Sequence, residues 1–127
     1  MPKQTLAALP DIFVIHSLPV QAEIPPQVMN ASLYFIGKTH DELSIVVPQS
    51  VNVDSEESDT DWRVLEVLGP LELSMVGIMA QIGNVLATAK VSIFIVSTFE
   101  TDFFLVKQKD LSTAAKALEL DGYKVIL

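Results

Sequence analysis

The sequence predicts an α+β chain built on a β-α-β-β-α-β unit with antiparallel strands, preceded by a shorter, related stretch. Three observations carry that reading. Residues 62–127 alternate short β-branched and aromatic runs with two stretches of helical spacing. Gly69-Pro70 and Gly122 punctuate those runs. Within the first half, IGKTHDELSIVVPQ lies over IVSTFETDFFLVKQ at an offset of 59 residues.

The first strand of the unit is Trp62 to Leu68, which stops at Gly69-Pro70. From Met75 the apolar residues Ile78, Met79, Ile82, Val85, Leu86 and Ala89 follow the spacing of an amphipathic helix, with Ser74 placed as its N-cap. Gly77 and Gly83 cost about 1 kcal/mol each against alanine inside a helix. They read as allowing close packing against a sheet, or, for Gly77 near the start, as leaving room for a ligand. Val91–Val96 is too short and too β-branched for a helix, and Thr101–Val106 follows a brief polar turn, so the two predict a hairpin. Asp110 or Ser112 can cap a second helix that carries Leu111, Ala114, Ala115 and Leu118 on one side and ends at Gly122. Tyr123–Leu127 closes as the last strand. That order is the split βαβ arrangement of ferredoxin-like folds.

The first half reads as a reduced copy. The offset pairs Ile36 with Ile95, Thr39 with Thr98, Asp41 with Glu100, Val47 with Val106 and Gln49 with Gln108, and Phe13–Leu18 precedes Pro19 much as Arg63–Leu68 precedes Gly69-Pro70. Between Leu18 and Leu33 there are fourteen residues with Pro19, Pro25 and Pro26, which leaves room for little more than one helical turn. A second helix and last strand are expected to be missing, because the acidic stretch Asp54–Asp61 intervenes. That stretch reads as a solvated linker, since it lacks the glycine and terminal glutamate of a calcium loop. The expected division is therefore a reduced unit at 1–53, a linker at 54–61 and a full unit at 62–127.

Composition narrows the function. Half of the 127 residues are apolar and the mean hydropathy is +0.41, yet no apolar run is long enough for a membrane span. A net charge of -8 and a pI near 4.5 disfavour nucleic acid and anionic bilayers as partners. Without cysteine there is no disulfide, thiolate metal site or Cys nucleophile. The start MPKQTLAALPDIF lacks the apolar core of a signal peptide, and a cytoplasmic location is expected.

No catalytic constellation is present. His16 falls inside a strand and His40 in a turn beside Asp41 and Glu42, with no GxSxG elbow to supply a nucleophile. Adjacent strand residues face opposite ways, so His40, Asp41 and Glu42 read as a solvated turn, and no metal site is expected. Gly69, Gly77 and Gly83 match neither GxGxxG nor a P-loop. The remaining candidate is the junction Gly69-Pro70-Leu71-Glu72-Leu73-Ser74, because a helix start carries free N–H groups and about half a positive charge, suited to a carboxylate. The strand after the helix is a second signal. From Val91 to Phe99 it has no charge or proline, so as a sheet edge it needs a partner, either the matching Leu33–Gly37 or a second subunit.

At these residues, most strongly from Gly69 to Lys107, the sequence resembles the ACT domain, the small regulatory βαββαβ module of amino-acid-controlled enzymes such as aspartate kinases. The reduced THDELSIVV copy beside STFETDFFLV is similar to small stand-alone tandem ACT proteins and to the repeats of a cytosolic arginine sensor. The resemblance implies a non-enzymatic regulatory protein without cofactor, binding an amino acid where two units set their sheets side by side, as a homodimer. It implies ligand contacts at Gly69, Pro70, Leu71 and Ser74 and at Ser92, Ile93 and Phe94. Phe94 departs from the aspartate that many kinases carry there. In the arginine-sensor pattern the matching anchor for a cationic group is Asp102, with Thr98 and Thr101 as polar neighbours. The alternative expectation is an interaction module that dimerises or recruits a partner through its sheet edges, with no ligand.

Overall fold

The computed structural model describes residues 3–68 and 77–127. In chain order its elements are β1 (Thr5–Ala8), β2 (Phe13–Leu18), α1 (Pro26–Met29), β3 (Phe35–Lys38), β4 (Leu43–Pro48), β5 (Glu57–Val67), α2 (Ile78–Thr88), β6 (Ile93–Ser97), β7 (Asp102–Lys107), a 3-10 turn at Gln108–Asp110, α3 (Leu111–Leu120) and β8 (Lys124–Ile126). They form two compact units, one of Asp11–Trp62 and one of Met1–Pro10 with Arg63–Leu127. The chain is α+β, and its strands are mostly but not wholly antiparallel.

In the unit Asp11–Trp62 the strand order is β3-β4-β2-β5, all antiparallel. Period-two alternation turns Val14 and Leu18 of β2 and Leu43, Ile45 and Val47 of β4 to one face, where Val28 of α1 completes a buried cluster. Pro26 stands at the first position of α1, where its missing N–H costs nothing, and the helix is a single turn as expected. The fourth strand corrects the expected linker. Glu57–Asp61 belong to β5, with Ser17 opposite Glu57, His16 opposite Ser58 and Ile15 opposite Asp59. All five residues are exposed, so the ladder of backbone hydrogen bonds, and not apolar burial, holds them there. The register then shifts between Phe13 and Ile15, where β5 advances further than β2, and Asp61 adopts a left-handed φ of 66° at this bulge.

The other unit has the strand order β8-β1-β5-β7-β6. β1 is a strand that the sequence reading did not anticipate, and it groups residues 1–10 with the second unit and not the first. It runs antiparallel to β5, with Leu6 opposite Val67, and parallel to β8, with Leu6 opposite Val125. The expected all-antiparallel sheet is therefore mixed. Leu6, Leu65, Val67, Phe104 and Val106 from the sheet meet Ile82 and Leu86 of α2 and Ala114 and Leu118 of α3 in one cluster, so both helices lie on one face. Lys3 Nζ pairs with Asp121 at 2.6 Å and stands 5.0 Å from the Tyr123 ring centroid, securing the start of β1 beside the last turn of α3. Gly122 takes φ 98° where α3 stops, the left-handed residue that ends a helix.

Ser74 and Met75, expected to open the first long helix, lie outside the described residues. The described helix begins at Ile78, with Gly77 at its N-cap position in a left-handed conformation. Asp110 precedes α3 but its side chain makes no cap hydrogen bond.

Candidate functional site

Ser97 and Asp102 are cross-strand partners that close the β6–β7 hairpin. The turn between them is built by a threonine: Thr98 N–H donates to the Thr101 carbonyl at 2.8 Å, and Thr98 Oγ1 accepts the Thr101 N–H at 3.2 Å. The Thr101 hydroxyl in turn donates to the carbonyl of Val67, the last residue of β5. Both threonine hydroxyls thus have partners within the unit. Their effect is to hold Asp102 beside the end of β5.

Strand alternation then fixes which way the carboxylate faces. Asp102 shares a face with Phe104 and Val106, which are in the core under the helices. Ser97 lies on that face as well, its hydroxyl 3.6 Å from Met79 Sδ in the first turn of α2. The first helical bond of this end is Gln81 N–H to Gly77 O at 2.8 Å, so the N–H groups of residues 78–80 have no acceptor within the helix. One locality therefore combines a half-buried acidic side chain, a hydroxyl and the positive end of an eleven-residue helix. Such a locality can take a zwitterion, carboxylate toward the helix and cation toward Asp102.

Other expected site residues are not brought to this place. Ile93 lies on the helix-bearing face, 3.8 Å from where a Cβ on Gly83 would stand, but four residues, about 13 Å, along β6 from Ser97. Phe94, paired with Leu105, points to the opposite face. Gly69, Pro70, Leu71 and Ser74 lie outside the described residues. Ser97 and Met79 were not among the expected site residues, Met79 being read only as an apolar helix position; the hairpin register, which sets Ser97 against Asp102, is the signal that would have found Ser97.

The β3–β4 hairpin has the same construction at the offset of 59. Lys38 pairs with Leu43 as Ser97 pairs with Asp102, and Ile36 with Ile45 as Ile95 with Phe104. Thr39 N–H donates to Glu42 O at 2.9 Å and Thr39 Oγ1 accepts Glu42 N–H at 3.1 Å. His40, Asp41 and Glu42 form the exposed part of that turn. The position of Asp102 is here Leu43, 2% exposed in an apolar cluster, so this hairpin offers no carboxylate.

His16 is buried in β2, its Nδ1 2.8 Å from Ser55 Oγ and its Nε2 without a hydrogen-bond partner. Burial lowers its pKa below the ordinary histidine value. Among the described residues no three His, Asp or Glu side chains converge as a metal site. A shallow groove of about 330 Å³ runs between the C-terminal part of α2 and the end of α3, lined by Val85, Ala89, Ala117 and Leu120, away from the α2 start.

Two helices on one face of a mostly antiparallel sheet, with a strand–helix–hairpin–helix–strand order, define a small α+β module. Residues 57–119 match the family model of the ACT domain. The chain belongs to the ACT domain family. It is similar to a protein of known structure from Agobacterium tumefaciens, at 30% identity over 100% of this chain and 95% of that one, with a TM-score of 0.92. It shares its fold with Clostridium acetobutylicum aspartate kinase, at 16% identity, TM-score 0.71, over 92% of this chain and 34% of the kinase. The ligand-free regulatory subunit of Thermus thermophilus aspartate kinase is similar at 13% identity, TM-score 0.69, over 94% of this chain and 98% of that subunit. No protein of curated function matches the sequence. No described helix is long and apolar enough to cross a membrane.

Proposed function

We infer that the chain is a non-enzymatic, cytoplasmic regulatory protein that binds a small amino acid at the start of α2. The ligand carboxylate faces the first-turn N–H groups and its cationic part faces Asp102, and Gly69, Pro70, Leu71 and Ser74 are proposed as further ligand contacts. The observation that carries this reading is the Ser97–Asp102 pair on the helix-bearing face, beside Met79. The two hairpins belong in this reading to two ACT-like copies, one reduced and one complete, and their common register supports it. β6 pairs with β7 among the described strands, and in this reading a second copy of the chain is set along its other edge.

The test is titration calorimetry with each of the twenty amino acids on protein unfolded and refolded to strip co-purified ligand. A saturable heat with at least one of them is expected; silence at millimolar concentration overturns the reading. A second reading rests on the same edge, where Ile95 is 36% and Phe99 82% exposed. It is a module that dimerises through β6 with no ligand. A dimer in size exclusion with light scattering whose stability no amino acid alters would favour it.

A further inference from the structure

We propose that His16 is an acid-sensitive latch, whose protonation releases the segment Ser55–Asp61 from β2. The imidazole shares a face with Val14 and Leu18 and is 7% exposed, opposite Ile45 on one side and Ser58 on the other. Its one polar contact is the 2.8 Å approach of Nδ1 to Ser55 Oγ, and Nε2 is buried without a partner. The neutral ring fits this place in either tautomer, because a hydroxyl both donates and accepts. The cation does not fit. Both ring nitrogens then carry hydrogen, Ser55 can serve one, and the other is a buried charged donor with no acceptor.

The surroundings decide which side opens. β2 and β4 are matched along six consecutive residue pairs that include buried Leu43, Ile45, Val46 and Val47. Beyond its bulge, β5 meets β2 at three pairs, through exposed residues. No other ionisable group lies on β2, and none on β4 or α1. Asp11 precedes β2, and β3 carries Lys38, with Tyr34 just before it packed on the same cluster. The α1 connection carries Glu23. The β3–β4 turn carries His40, Asp41 and Glu42, with Glu42 Oε2 3.5 Å from Ser17 Oγ. The segment itself and the residue before it add the carboxylates of Asp54, Glu56, Glu57, Asp59 and Asp61. An imidazolium that swings out therefore meets this cluster of carboxylates.

Linkage sets the direction. Burial lowers the pKa of the closed form, so the open form binds the proton more tightly. The latch is intact above the ordinary histidine value of about 6.5 and weakens as pH falls below it, by up to about tenfold in the opening equilibrium per pH unit.

Hydrogen exchange of the amides at 56–61, corrected for intrinsic rates, reads this directly. Between pH 6.5 and 5.5 their protection is expected to fall by up to about fivefold, while β3 and β4 keep theirs. His16→Gln should remove the pH response and His40→Gln should keep it. The proposal is overturned if His16→Gln responds like the wild type, or if protection falls equally across β3, β4 and β5. Should the variant fail to fold, the imidazole NMR titration of the wild-type chain decides: a pKa below about 6.5 for His16 supports the latch and one at or above it sinks it.

Discussion

Thr39 and Thr98 do the same work 59 residues apart: each donates its N–H to the carbonyl of the residue three positions on and accepts that residue's N–H at Oγ1. The two bonds fix a four-residue connection, and with it the register of the strands on either side. The residue just past each turn differs. Leu43 goes into an apolar cluster, whereas Asp102 keeps a half-buried carboxylate at the α2 start. The same hairpin scaffold thus presents a charge in one unit and none in the other.

That difference gives the first prediction. Asp102→Asn keeps the shape and removes the charge, so affinity for a cationic amino acid should fall about tenfold or more, as expected for losing a charge-assisted contact. A neutral amino acid should lose much less. Calorimetry on the variant with one ligand of each kind checks this, and equal losses would take Asp102 out of the site.

Thr101 tests how the carboxylate is held. Its hydroxyl is the donor to Val67 O, and Val67 is fully buried. Thr101→Val leaves that carbonyl without this partner and should cost about 1–2 kcal/mol in urea denaturation. Thr101→Ser restores the donor and should recover most of the loss. If serine does not rescue, the methyl contact and not the hydroxyl matters here.

The hairpins and helices were legible because their apolar residues keep a clear period: Phe104 and Val106 alternate, and Ile82, Leu86, Ala114 and Leu118 recur at helical spacing. β1 was not, since Thr5–Ala8 is four residues long and carries one fully buried side chain, Leu6. Glu57–Asp61 hid for a different reason. Every side chain there is polar and exposed, so the strand is written in backbone pairing that composition does not reveal. Of the candidate site, Asp102 and its threonines came from a family resemblance, while Ser97 and Met79 needed the register and the helix position.

Gly83 corrects the expectation of a close approach. A Cβ built there would lie 3.8 Å from Ile93 Cδ1, an ordinary contact, and the residue sits inside α2 at a helical conformation. Gly83→Ala should therefore stabilise the unit by up to about 1 kcal/mol through reduced chain entropy and better helix propensity. Thermal unfolding measures it. A lower melting temperature would mean that the sheet cannot accommodate the methyl.

Asp61 is the last case, because it places a left-handed backbone inside a strand. At φ 66° an L-residue other than Asn, Asp or Gly is disfavoured by roughly 1–2 kcal/mol, most of all a β-branched one. Local bonds favour the aspartate: Thr60 Oγ1 donates to its Oδ2 at 3.1 Å, and its own N–H reaches Gln49 Oε1 at 3.2 Å. Asp61→Gly loses the first bond, which is exposed and weak, and relieves the backbone, so its stability should stay within about 0.5 kcal/mol of wild type. Asp61→Val keeps the N–H to Gln49 but forces a branched Cβ into the left-handed region, and its urea midpoint should drop by the equivalent of about 1–2 kcal/mol. Valine also has the higher strand propensity, so a gain in stability on Asp61→Val would show that the bulge straightens and that the register shift between Phe13 and Ile15 is not held by this residue.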